Sequence, residues 1–350
     1  VSLGATTLRR LAVFAVPLLL RCTPANVGVS ADADTLPEGS PGADAAPDAG
    51  AADATSDAGG DASIAAACQD FAYAYCNRLK TCSSTLFQER YGTESTCESI
   101  QRTTCTISNT TPSTTQTPTS TEACVAELGS WTCTDFIYTQ NRPPACLSEA
   151  TGTRPNGASC AISTQCQSTY CALPSDQACG TCAPAEPGAP CETEACPSGL
   201  ACVAGTCVAY VDQGAACSAS QPCNEGLTCA PGTAPGSMIC QPGETTQGAP
   251  CSFTGAGCDV FSGLACNAQT GVCEVMQLVQ PGQACGLVAN QIANCIAGSC
   301  PRGQCLAYIP AGGACDLDGE VSCLPPTRCL VSGDGATTGT CTYNGSTACP

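Results

Sequence analysis

Thirty-five of the 350 residues are cysteine and none is histidine. Cysteine can serve as a thiolate nucleophile, a metal ligand, half of a redox dithiol, or half of a structural bridge. Spacing and company decide among these. Without histidine there is no Ser-His-Asp or Cys-His nucleophile system, no His-based zinc site and no HExxH protease motif. Cys179-Gly-Thr-Cys182 is the one Cys-x-x-Cys pair. A redox dithiol needs its first thiolate at a helix N-terminus after a strand. Here the neighbours are Gly/Pro-rich loop, so structural bridging is predicted. A zinc site built from four cysteines needs two such pairs. No P-loop is present, and Gly255-Ala256-Gly257 fails as a dinucleotide fingerprint because Val260 stands where the third glycine should be. Asp316-Leu317-Asp318-Gly319-Glu320 lacks the length of an EF-hand loop and reads as a solvated acidic turn. No feature selects a pair of carboxylates for hydrolysis. The chain therefore predicts no catalytic set, no cofactor and no metal.

A glycine stands three residues before a cysteine six times: Gly157/Cys160, Gly188/Cys191, Gly214/Cys217, Gly248/Cys251, Gly282/Cys285 and Gly312/Cys315. Three more cysteines follow each. The quartets are Cys160, Cys166, Cys171 and Cys182; Cys191, Cys196, Cys202 and Cys207; Cys217, Cys223, Cys229 and Cys240; Cys251, Cys258, Cys266 and Cys273; Cys285, Cys295, Cys300 and Cys305; Cys315, Cys323, Cys329 and Cys341. Such self-similarity marks a tandem array, placed at residues 151–350. Gly-Leu-x-Cys recurs at Gly199–Cys202, Gly226–Cys229 and Gly263–Cys266, and a closing Gly-x-Cys at Gly180, Gly205, Gly271, Gly303 and Gly339. The closing glycine permits positive φ, which predicts a terminal hairpin in each unit. Contact mainly between neighbours predicts a curved or jointed rod. Cys179 and Cys349 fall outside the quartets. They pair with each other, pair with another molecule, or stay free.

Residues 65–150 have a different texture. Cys68, Ala72, Tyr75, Cys76 and Leu79 fall at helical spacing. Ser95 with Glu98 resembles a capping box opening a helix through Cys97 to Cys105. Glu122–Leu128 predicts a third helix, and Trp131, Cys133, Phe136 and Ile137 a short fourth. Thr106–Ser120, rich in Thr, Ser and Pro, predicts a flexible loop, and Asn109-Thr110-Thr111 has the form of a glycosylation acceptor. Pro143–Pro144 close the unit. Its eight cysteines (Cys68, Cys76, Cys82, Cys97, Cys105, Cys124, Cys133, Cys146) predict four bridges of open connectivity.

Arg9 and Arg10 precede the apolar run Leu11–Leu20, a signal-peptide pattern too short to span a bilayer. Residues 1–22 are read as the signal. Cys22 follows the apolar run and is the predicted lipidation site, although Arg21 replaces the usual small residue; cleavage after Ala25 or Ala31 is the alternative. Setting Cys22 aside leaves an even 34 cysteines. Residues 23–64 are Ala, Asp, Gly, Pro and Ser, which predicts a disordered tether. A cysteine content of one in ten marks a disulfide scaffold, stable only outside a reducing cytosol. The net charge of −18, with Lys80 the sole lysine, excludes nucleic acid as a partner and leaves the lipid anchor as the membrane attachment.

The layout of Gly-Ala-x-Cys, a second cysteine, Gly-Leu-x-Cys and Gly-x-Cys resembles the Dickkopf N-terminal type of cysteine-rich module. With its signal, Ala/Asp-rich tether and helical cysteine region, the whole chain resembles cysteine-rich surface lipoproteins of myxobacteria. The resemblance implies a small disulfide-rich fold: a helical bundle, then about six four-cysteine modules with little regular secondary structure. It excludes a (β/α)8 enzyme such as a tryptophan synthase alpha chain, because no strands alternate with amphipathic helices. The expected role is non-enzymatic binding and display toward an extracellular protein or glycan, in the cell envelope or outside the cell. The alternatives are an envelope or matrix spacer and a secreted inhibitor or toxin-like factor.

Overall fold

The computed structural model describes residues 63–349, apart from 140, 148–151, 175–176, 190, 192–195, 197–198, 225, 253–256, 290, 318, 320, 332–335 and 345–348. The signal, Cys22 and the tether up to residue 62 lie outside the described residues, as do Gly255, Ala256, Asp318 and Glu320.

Five helices form a hub. Helix α1 (Ile64–Cys82) starts at Ser63, whose hydroxyl accepts from the Ala66 N–H, and buries Ala67, Cys68, Ala72, Cys76 and Leu79 along one stripe. Ser83 ends α1 and caps α2 (Ser84–Tyr91), accepting from the Leu86 N–H at 3.1 Å. The sequence reading omits α2, because Gln88, Glu89 and Arg90 blur its apolar period. Gly92, at φ +64°, stops it. Helix α3 (Glu94–Thr110) is capped by Thr93, whose side chain takes the Thr96 N–H; this replaces the expected Ser95/Glu98 box.

The flexible loop expected over Thr106–Ser120 is mostly helix. Thr106 and Thr110 donate their hydroxyls to the carbonyls four residues back, at 2.8 Å each, and so complete the last turns of α3. Thr117 and Ser120 then form a reciprocal capping box that opens α4 (Pro118–Leu128). Composition alone mistakes these threonines for loop because their role depends on a helix already running beneath them. Helix α5 (Cys133–Ile137) is capped by Thr132. The bridges Cys68–Cys105, Cys76–Cys97, Cys82–Cys133 and Cys124–Cys146 tie the helices together.

From Ser159 onward the chain forms small sheets of two or three strands. Within every quartet the first cysteine bonds the third and the second bonds the fourth, as in Cys160–Cys171 with Cys166–Cys182 and Cys191–Cys202 with Cys196–Cys207. The same order holds in the other four quartets. Hairpins set the third cysteine across from the fourth in register, Cys202 opposite Cys207 and Cys266 opposite Cys273. The two bridges therefore lie side by side.

The repeated leading glycine now has a physical cause. All six adopt φ between +81° and +95°. Each N–H donates to the carbonyl of its quartet's last cysteine, from Gly157 to Cys182 at 2.8 Å through Gly312 to Cys341 at 2.8 Å. A side chain there would strain the turn that delivers the hydrogen bond. The closing glycine is not uniform. Gly205, Gly271 and Gly303 have positive φ as expected, whereas a Cβ on Gly180 or Gly339 would lie 2.2 Å from the Ala172 carbonyl oxygen or 2.1 Å from that of Leu330. At these two positions close strand approach, and not positive φ, demands glycine.

The expected rod does not form. The array wraps the hub and is closed by a bridge between Cys179 and Cys349, 170 residues apart. Tyr308 and Leu324 of the array enter the hub's core beside Leu79, Phe87, Trp131 and Phe136, and Phe261 packs against it. Further ties run the length of the array. Ser83 donates its hydroxyl to the Phe261 carbonyl at 2.5 Å, the Ala297 N–H meets the Glu89 carbonyl at 3.0 Å, and Gln165 donates to the Pro112 carbonyl at 2.8 Å. A rod follows only if each unit satisfies itself. Here the hub's apolar surface is larger than its helices cover, and scattered array side chains finish it.

Candidate functional site

Cysteine chemistry resolves first. The 17 bridges consume all 34 cysteines other than Cys22. Cys179 and Cys182 do not pair: Cys182 bonds Cys166, and Cys179 bonds Cys349. Five quartets bring three sulfurs within 4.8 Å, as at Cys160, Cys166 and Cys182. That grouping is two adjacent disulfides, whose sulfurs carry no thiolate charge to offer a metal. Asn109 lies in α3, where its amide nitrogen donates to the Cys105 carbonyl at 3.0 Å and to Thr121 Oγ1 at 3.3 Å. The nitrogen of this acceptor sequence is thus engaged inside the hub. Of the acidic turn, Asp316 ends a strand and Leu317 is exposed.

A cleft of about 610 Å3 opens where α5 meets the third and fourth quartets. Its size falls within the span of small-ligand and side-chain sites, roughly 300–1,000 Å3. The Cys82–Cys133 bridge and Ile137 form its hub wall, and Leu227 and Pro242 the opposite wall. Tyr138 and Phe261 meet edge to face, with ring centroids 5.1 Å apart. Asp259 fixes that corner. One carboxylate oxygen accepts from the Tyr138 hydroxyl and from the Phe261 N–H, both at 3.0 Å, and the other from the Ser262 hydroxyl at 2.5 Å. Burial and the neighbouring Asp259 carboxylate push the Tyr138 phenol above its ordinary range, so it stays a neutral donor. Gly226 lies flat on the Tyr138 ring: a Cβ there would sit 2.6 Å from it. Asp212 and Gln213 stand exposed on the rim. A smaller groove of about 310 Å3 runs past Trp131, Pro143 and Pro144, and another of about 370 Å3 past Glu274 and Gln291.

Of the cleft residues the sequence reading named as site residues only Cys82 and Cys133, as disulfide cysteines; Tyr138 and Asp259, which meet in the cleft, stand 121 positions apart. One signal was present. The second and third quartets read Cys-Pro-Ser-Gly-Leu-Ala-Cys and Cys-Asn-Glu-Gly-Leu-Thr-Cys, while the fourth reads Cys-Asp-Val-Phe-Ser-Gly-Leu-Ala-Cys. Its two extra residues hold a short helical turn over Val260–Ser262, capped by Asp259, which delivers Phe261 to the hub.

Glu89 is a second charged feature at the hub–array contact. It is 9% exposed and accepts from the Asn294 amide at 3.0 Å. Burial pushes its carboxyl up, opposed in part by the Asn294 hydrogen bond and the Arg90 charge. A carboxyl with a raised folded-state pKa stabilises the fold below the unfolded pKa and loses that contribution as pH rises through the folded value. Glu89→Gln keeps an acceptor for Asn294 and removes the charge. Thermal unfolding should show the variant more stable than wild type at pH 7 and equal to it at pH 4. An equal offset at both pH values would show that Glu89 ionisation is not the cause.

Comparison with family models, with curated proteins and with solved structures finds no match for this chain. No described helix is long and apolar enough to cross a membrane. Bridges in this number persist in an oxidising compartment, which places the folded protein outside a reducing cytosol.

Proposed function

We propose that the protein is an exported, lipid-anchored, non-enzymatic binding module whose ring of six four-cysteine units is presented to an external partner. Cys22 carries the lipid, the tether runs from residue 23 up to the Ser63 cap of α1, and the hub holds the ring in one orientation. The observation supporting this reading is the cleft at the hub–array junction: it is preformed, braced by Asp259 and Tyr138, and has Asp212 and Gln213 exposed at its rim. Among the cysteines after Cys22, none is left over for redox or metal chemistry. Rigid disulfide scaffolds bind at low entropic cost, because little remains to be ordered.

The anchor and the binding role separate experimentally. Metabolic labelling with a palmitate analogue should mark the wild type and not Cys22→Ser; equal labelling would remove the anchor. Labelled protein should bind envelope preparations saturably and be displaced by unlabelled protein. Non-saturable retention would favour the spacer role instead.

A further inference from the structure

We infer that the hub–array cleft takes a lysine- or arginine-bearing apolar segment of a polypeptide partner. The inference rests on the binding-module reading above and adds the chemistry of its ligand. The walls are apolar, built from Ile137, Leu227 and Pro242, with the rim of Phe261 and Tyr138 above them. Two carboxylates, Asp212 and Asp259, face the same space, and among the described residues no lysine or arginine lines it. Such a site matches a side chain whose stem is apolar and whose tip is positive. The stem lies along the walls while the head reaches the carboxylates at the mouth.

The surroundings reinforce the match. Between Cys160 and Cys349 the chain has 13 acidic residues and two basic ones, Arg302 and Arg328. A cleft with low-dielectric walls focuses that negative field and draws cations toward it. Asp259 is already committed, since its oxygens accept from Tyr138, Phe261 and Ser262. It acts as a positioning residue and a source of negative charge. Asp212, exposed on the rim, is the carboxylate open to a direct ion pair. A sugar is the poorer match: Gly226 covers one face of Tyr138, and the two rings brace each other edge to face. They do not stand free as a stacking platform.

The test uses the oxidised full-length protein and fluorescence anisotropy in 150 mM salt, a concentration that screens exposed charges beyond about 8 Å. The probes are labelled peptides of alternating leucine and lysine, leucine and serine, and leucine and glutamate. The lysine peptide should bind saturably and the others should not. Asp212→Asn should weaken it about two- to fivefold, the size expected for one solvent-exposed ion pair. Glu186→Gln, an exposed change on another linker, should leave it unaltered. Equal losses from both variants would mean general attraction to an acidic protein, and the inference would fall. A maltodextrin that binds the cleft in place of the lysine peptide would overturn the cationic ligand while leaving the binding module standing. Loss of saturable binding to envelope preparations would remove both.

Discussion

Changing Cys179 and Cys349 together to alanine should open the array and cost about 3–4 kcal/mol of stability. In the chain-entropy argument a bridge closing 170 residues contributes roughly 5 kcal/mol. The other array bridges already shorten the unfolded loop, but each halving removes only about 0.6 kcal/mol. A denaturation midpoint within error of wild type would show that the hub contacts alone hold the ring. The same variant has a covalent signature. In the hub, Cys68–Cys105, Cys82–Cys133 and Cys124–Cys146 overlap, so every peptide bond between Cys68 and Cys146 lies inside a covalent loop. In the array, Cys160–Cys171, Cys166–Cys182 and Cys179–Cys349 overlap likewise, out to Cys349. One engineered protease site after the exposed Glu244 reads this out. Cut once and run unreduced on a denaturing gel, the wild type should stay in one piece, and the double variant should release residues 245 onward. Release from the wild type would overturn the pairing. Between Cys68 and Cys349, only the stretch from Cys146 to Cys160 is uncovered, so a single cut there divides hub from array. For a protein outside the cell this topology limits the damage from any single nick.

Leu324→Ala should cost about 2–5 kcal/mol, the range for emptying a leucine site in a packed core. Leu324 is 2% exposed and shares the hub core with Trp131, Phe136 and Tyr308. The position is informative because it belongs to the last quartet and not to the helices. Hydrogen exchange should quicken in both the last quartet and the hub. Quickening confined to residues near 324 would mean that the array merely rests on the hub. Tyr343 adds a tie in the same region through its hydrogen bond to Thr103 on α3.

The grouping of the array cysteines into quartets was legible in advance because it lies in local spacing, whereas spacing leaves open which cysteine bonds which, and that came from the structure. Each quartet spans few residues, and its leading glycine is dictated by a hydrogen bond that closes within the same quartet. The helix around Cys68 was legible from its period, the one through Cys97 from a capping box that the structure moves from Ser95 to Thr93, and those at Cys124 and after Trp131 from short runs of apolar residues. The threonine-rich turns were not, because a threonine hydroxyl serves loop or helix according to which carbonyl lies behind it.

Composition and spacing by themselves determined that this chain is stapled by disulfides, carries no histidine chemistry and divides into helical and repeating parts. Those are properties of types and intervals, and they survive without knowing any long-range contact. Only the tertiary structure decided that the array closes on itself through Cys179 and Cys349, that Tyr308 and Leu324 complete the hub, and that Asp212, Tyr138 and Asp259 share one cleft. Such meetings depend on how separate units dock. Docking is driven by burial of apolar surface, which is non-directional and leaves no interval along the chain to read.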